Sequence, residues 1–271
     1  DPTLSPIVDM LNEAAIQVEE ASQEIRQYCD QLEIDPMKLQ QVEWFAARKR
    51  EIAMAQRASD RTKMIKQLQE DGDPLAKAYD KASARAANGT RMARKGGDFP
   101  LLSGGDINLY SLFVERAMKL IKPQGLIGLL VPSGIASDKT ASTFFKGVAT
   151  GGRLKALYDF ENKKVFFKDV HASFKFCVFV AGKQATASDA KCAFYVRNMA
   201  ELQDPERCFT LSATDFARVN PNTGTAPIFR SRRDAELTTT IYQNAPILVD
   251  RSGGDEVKTW PVKYVRMFDM T

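Results

Sequence analysis

Three short stretches carry side chains suited to chemistry. In Phe166-Phe167-Lys168-Asp169-Val170-His171 two rings precede a charged pair, so one ring can fill a core while the other faces outward, and Phe167 is expected to be the outward one. In Arg230-Ser231-Arg232-Arg233 three guanidinia surround a helix-capping serine with Asp234 three residues on, an anion site that the helix dipole would reinforce. Pro132-Ser133-Gly134 follow an apolar run, at the place where open α/β sheets bind ligands. Lys168 and Lys175 can approach phosphates as well. His171 is the one histidine of the chain. With no Ser or Cys signature beside it, it reads as a loop residue rather than a base, and one imidazole cannot build a metal site. Cys29, Cys177, Cys192 and Cys208 lie far apart without CxxC spacing and read as reduced thiols.

These residues need elements to hold them. Ile107, Tyr110, Phe113, Ala117, Leu120 and Ile121 recur at helical spacing, which predicts a helix capped by Asp106, with this stripe inward and Glu115, Arg116 and Lys119 in water. Pro123 and Gly125 stop it, and Leu126 to Val131 then run apolar without alternation, as a strand of a parallel sheet covered on both faces does. Ala141 to Val148 form a short helix, and Arg153 to Asp159 and Phe174 to Ala181 read as strands. Their connection is too short for a helical crossover, so they are expected to be antiparallel neighbours. Lys191 to Arg197 adds an edge strand, a helix follows Ser231, and a strand starts at Thr259.

Upstream, Leu11, Ala15, Val18, Ser22, Ile25, Cys29 and Leu32 step by three and four, predicting a long structural helix over 5–33. A helical stretch from Glu43 to about Ala87 is divided at Asp73-Pro74 and closed at Asn88-Gly89. The Gly-rich basic residues 91–105 read as a flexible connector. Charge is distributed unevenly: residues 1–35 hold nine acids against Arg26, whereas 48–95 hold thirteen Lys and Arg against six acids. Such asymmetry points to a polyanion partner for the middle segment, although Arg48, Lys49, Arg50, Arg57, Arg61 and Lys63 fall all round their helices. At 271 residues and 44% hydrophobic content the chain can bury a sizeable core. It has neither an apolar run of bilayer-spanning length nor a signal-peptide pattern, which implies a cytoplasmic location.

LYSLFVERAMKLIKPQGLIGLLVP resembles the segment that follows the catalytic tetrapeptide in gamma-type adenine-specific DNA methyltransferases. With YDFENKKVFFKDVHASFKFCVFVAG (158–182) and PIFRSRRDAELTTTIY (227–242) it is closer still to the bifunctional restriction-modification enzymes and related phage-defence methylases, over roughly residues 37–271. The resemblance implies an α/β fold: the C-terminal half of a Rossmann-like methyltransferase sheet, its parallel strands ending in an antiparallel hairpin, with helical additions. It divides the chain into an acidic helix (1–35), a basic helical insertion (37–104), the α/β core (105–200) and a connector towards target recognition (201–271).

By the same resemblance the cofactor is S-adenosyl-L-methionine, lined by Asp106, Tyr110, Phe113 and Pro132. The partner is double-stranded DNA, whose phosphates meet Lys168, Lys175, Arg230, Arg232 and Arg233, and Phe167 stacks on a flipped adenine methylated at N6. Nuclease or motor domains are possible companions in the parent chain. The sequence departs from the family in two places: it has no NPP-aromatic tetrapeptide and no glycine-rich cofactor turn. The expectation is therefore an inactive fragment, or a chain with segments closed up near Ile34 to Met37. A non-catalytic DNA- or partner-binding module is the rival reading. A nicotinamide-dependent oxidoreductase is a third, disfavoured by the antiparallel end of the sheet.

Overall fold

A computed structural model describes residues 39–105, 107–185 and 189–262. The helix expected over 5–33 and the junction near Ile34 to Met37 lie outside them. The chain divides into two compact units, Asp1–Leu112 and Phe113–Thr271.

The described part of the first unit is helical: α1 (Gln41–Ala46), α2 (Arg50–Met54), α3 (Ala58–Glu70) and α4 (Pro74–Lys95). Phe45, Ile52, Ile65, Leu68 and Ala76 form its core, with Trp44 and Tyr79 packed on it. The rings of Phe45 and Tyr79 lie 5.0 Å apart. Asp73 starts α4 by accepting a hydrogen bond from the Leu75 N–H at 2.8 Å, and Pro74 takes the first-turn position that needs no N–H donor. This helix does not close at Asn88-Gly89. It runs on to Lys95, so the first third of the expected Gly-rich connector is helix. One glycine inside a 22-residue helix costs only about 1 kcal/mol, too little to break it.

Helix α5 (Leu109–Leu120) lies where it was expected but presents a different face. Leu112, Val114, Glu115 and Met118 are buried, while Phe113 is 69% exposed and Leu120 is exposed too. The buried stripe carries Ser111 and Glu115 among its apolar residues, so apolar periodicity does not pick it out. Glu115, expected in water, is 2% exposed, and Lys119 Nζ lies 3.9 Å from its carboxylate. The Lys183 ammonium donates to the Met118 carbonyl at 3.0 Å and to that of Lys119 at 3.2 Å, satisfying acceptors that the last helical turn leaves open.

The second unit is built on a five-stranded mixed sheet. Its strands are β1 (Leu126–Pro132), β2 (Leu154–Glu161), β3 (Lys175–Gly182), β4 (Ala190–Val196) and β5 (Phe209–Leu211), in the order β1-β3-β2-β4-β5. Between β1 and β2 lie a short turn of helix, α6 (Gly134–Ser137), and α7 (Ser142–Ala149). Helices α8 (Ala213–Val219) and α9 (Arg232–Asn244) follow β5, and a small ribbon of β6 (Val249–Asp250) and β7 (Val257–Lys258) closes the described chain. That ribbon starts before the strand expected from Thr259, most of which falls outside the described residues.

β2 and β3 are antiparallel neighbours as expected, but β3 is inserted between β1 and β2. β1 is therefore not a strand of a parallel core. Among the described residues it pairs with β3 alone, and Leu126, Gly128 and Pro132 on one of its faces are exposed. Nor is β4 an edge strand, because it runs parallel to β2 on one side and antiparallel to β5 on the other. The pairings leave β1, β2 and β4 pointing the same way, so their carboxyl ends share one rim.

The sheet's two faces differ. Leu157, Cys177, Phe179 and Cys192 fill the deeply buried one, where Phe144 of α7 meets Phe179 at 6.1 Å and Phe145 meets Phe216 of α8 at 5.9 Å. Burial pushes the Cys177 and Cys192 thiols well above their usual range, in keeping with inert reduced cysteines. Cys29 lies outside the described residues.

Candidate functional site: the carboxyl rim of the sheet

At the rim, register places aromatic side chains together. Pro132, ending β1, stands opposite Phe176, and Phe160 stands opposite the same residue on β2. The Phe160 and Phe176 rings stack 5.1 Å apart with 4° between their planes. Phe166 meets both edge-on at 5.3 Å, while Phe167 meets only Phe176, at 5.0 Å and 76°. Both are half-buried, and Phe166 is the one packed against the buried Phe160.

The loop that carries them, 163–173, hangs on Asn162. This side chain is wholly buried: its Nδ2 donates to the carbonyls of Phe167 at 2.8 Å and Val170 at 3.0 Å, and its Oδ1 accepts from the Phe167 N–H at 2.8 Å. Main-chain bonds from Asn162 N–H to the Phe174 carbonyl and from Lys163 N–H to that of Ala172 tie the loop's ends together, each at 3.1 Å. Lys163 and Lys164 turn through positive φ, 42° and 60°. His171, exposed, sets Nδ1 2.7 Å from Ser173 Oγ, a contact within the loop.

On the other face of the rim is a polar cluster. Asp159, 5% exposed, accepts from the Ser133 hydroxyl and, at 3.5 Å, from the Tyr195 N–H. Burial raises its carboxyl above the ordinary range, against the Ser133 hydrogen bond, the Lys175 charge and the Tyr195 N–H. Tyr195, at φ 56°, makes the irregularity in the β2–β4 pairing. Lys175 Nζ stands 4.1 Å from its ring centroid and the Arg230 guanidinium 5.3 Å. Glu161 accepts from Arg197 Nε at 2.9 Å and has Lys175 Nζ at 4.0 Å. Its partial burial works upward, but the Arg197 hydrogen bond and the charges of Lys163, Arg197 and Lys175 prevail and hold the carboxyl low.

The three arginines near α9 do not act as one group. Ser231 caps the helix as expected, accepting from the Asp234 N–H at 3.1 Å. Arg232 turns inward and donates to the carbonyls of Pro205 at 2.9 Å and Cys208 at 3.1 Å. Arg230 and Arg233 are exposed. Lys168 is exposed, Lys175 is half-buried beneath Tyr195, Pro132 is exposed at the end of β1, Tyr110 is half-buried on α5, and Asp106 lies outside the described residues. Sequence reasoning passed over Asn162, Asp159 and Tyr195. An asparagine can head a turn, but nothing in the sequence marks this one as buried and fully bonded; nothing marks Tyr195 either.

Residues 94–166 match a family model described as Eco57I restriction-modification methylase, just over a quarter of the chain. The matched stretch covers α5, β1, α7 and β2 and reaches the aromatic pair at Phe166. The similarity supports a DNA methyltransferase of a restriction-modification system. No curated protein matches the chain.

Proposed function

We propose that these residues form the base-stacking side of an S-adenosyl-L-methionine-dependent methyltransferase acting on N6 of an adenine flipped out of duplex DNA. The observation that carries the reading is Phe167: a half-buried ring at the sheet's carboxyl rim, braced edge-on by Phe176 and fixed at its own backbone by Asn162. A flat apolar surface so held can stack on an unpaired purine, a contact worth about 1–3 kcal/mol. Lys168, next to it in the loop, and Lys175, Arg230 and Arg233 take the phosphates; Arg232 holds the start of its helix against Pro205 and Cys208.

For the cofactor, an exposed ring on a helix, Phe113, and the exposed Pro132 fit the adenine end, which needs flat apolar walls. Asp106 and Tyr110 complete that set by the sequence resemblance. When bound, the cofactor supplies an electrophilic methyl group. The chain's own task is to orient the purine so that its amine nitrogen lies in line with that methyl. The acceptors that hold the amine are not among these residues, since no NPP-aromatic occurs in the sequence. Transfer by the 271 residues alone is therefore not expected. The same absence favours a second reading, a DNA- or partner-binding module without catalysis.

The two readings separate in one assay. The gene product containing these residues is incubated with labelled S-adenosyl-L-methionine and duplex DNA. The methyltransferase reading expects label in N6-methyladenine, lowered by one to two orders of magnitude in Phe167→Ala. Binding without label, or transfer indifferent to Phe167→Ala, would sink it.

A further inference from the structure

We infer that Asn162 is a positioning residue for the base-stacking ring, acting on Phe167 through the loop backbone rather than touching the base. The inference rests on the reading of Phe167 as the stacking surface. Three observations converge on it. First, Asn162 is fully buried with both donors and its acceptor engaged, all three by loop 163–173. Second, two of those bonds go to the N–H and the carbonyl of Phe167 itself, so the peptide units on both sides of that residue are fixed and with them the direction of its Cβ. Third, the turn that leaves Asn162 passes through positive φ at two lysines, a conformation L-residues adopt only where the surroundings impose it. A single edge-on ring, Phe176 at 5.0 Å, does not by itself fix the tilt of Phe167.

The substitution Asn162→Ala deletes all three bonds without removing any aromatic side chain. Asn162→Asp keeps the acceptor for the Phe167 N–H. When ionised, it sets a carboxylate oxygen against the Phe167 and Val170 carbonyls; when protonated, its carboxyl can donate to one of them. Burial favours the protonated form. Base stacking by this variant therefore depends on pH more steeply than that of the wild type, which is measured alongside as the reference.

The test uses the full chain and two dye-labelled single strands, identical except that one carries an abasic site in place of a central adenine. The expected result is that wild type binds the intact strand about tenfold more tightly, within the range of one base–aromatic stack. Phe167→Ala and Asn162→Ala should both bring that ratio to near one. Asn162→Asp should recover the ratio in mildly acidic buffer and lose it in mildly alkaline buffer. Hydrogen exchange should rise in 163–173 of Asn162→Ala and stay low in β2 and β3. If the loop exchanges faster while the ratio stays at the wild-type value, the positioning role is wrong. If Asn162→Ala does not fold, Asn162→Asp alone decides: a ratio that ignores pH overturns the inference. A wild-type ratio of one that Phe167→Ala leaves unchanged would instead overturn the stacking reading beneath it.

Discussion

The two ends of the sheet are made differently. At the amino end, where β2 and β4 begin, the chain turns on Gly151 and Gly152, the latter at φ 65°, and Leu154, Ala190, Leu211 and Phe216 border a cavity of about 200 Å³ together with Asp189, Ser212 and Thr214. At the carboxyl end the three non-glycine residues with positive φ among the described residues, Lys163, Lys164 and Tyr195, stand beside the buried polar side chains Asp159 and Asn162. A fold selected for stability alone would put glycine in such turns and apolar groups in such sites. Strain and buried polarity gathered at one end of the sheet support the proposal that a ligand binds there.

The comparison can be pressed hardest with one deletion at each end. Asn162→Ala removes three buried hydrogen bonds and should cost about 2–4 kcal/mol, read as a shift in urea midpoint. Leu154→Ala, a large-to-small change at a site 2% exposed, should cost about 3 kcal/mol. The losses are alike in size, yet only the first should alter discrimination for an unpaired purine. Equal effects of the two on binding would erase the distinction between the ends.

Arg232 and Arg233 should separate next. Arg232→Ala frees two carbonyls and is expected to lower stability by about 1–2 kcal/mol. Arg233→Ala should leave the melting temperature alone and reduce the salt dependence of DNA binding by about one unit of slope. Reversal of the two outcomes would place the phosphate contact on the wrong arginine.

Asp159 gives the rim a pH signature. With its carboxyl raised by burial, the folded chain binds the proton more tightly than the unfolded chain does. The contribution to stability is therefore present in acid and lost as pH climbs above the ordinary 3.8. Asp159→Asn should flatten that fall, so the variant gains on wild type from mildly acidic to neutral buffer, measured by chemical denaturation. A parallel pH profile for the two proteins would remove Asp159 from the account. The smallest effect is expected at Lys164→Gly, where relief of positive φ outweighs glycine's added entropy in the unfolded chain and should raise stability by about 0.5 kcal/mol.

Much of this arrangement is legible in the residue order. The apolar runs of β1 to β3, the cap at Ser231 and the antiparallel pairing of β2 with β3 follow from local pattern and loop length. Strand order is a long-range choice: nothing between Leu126 and Gly182 says that β3 will lie between β1 and β2, and with β3 there the both-sides-covered reading of β1 fails. Helix α5 shows the limit of periodicity. Tertiary packing overrode the apolar stripe: it buried Ser111 and Glu115 and turned Phe113 outward. The aromatic pair at Phe166-Phe167 stands out in the sequence, but the amide that holds it does not, because a buried, fully bonded Asn and an exposed one are spelled alike.

The central claim, that the carboxyl rim is the purine-binding end, is tested most directly by backbone amide shifts as an adenine-containing single strand is titrated into the chain. Perturbations are expected to concentrate at Ser133, Phe167, Lys168 and Lys175, with Gly152, Ala190 and Leu211 unmoved. Shifts gathered at the amino end, with the Phe167 amide silent at saturation, would contradict it.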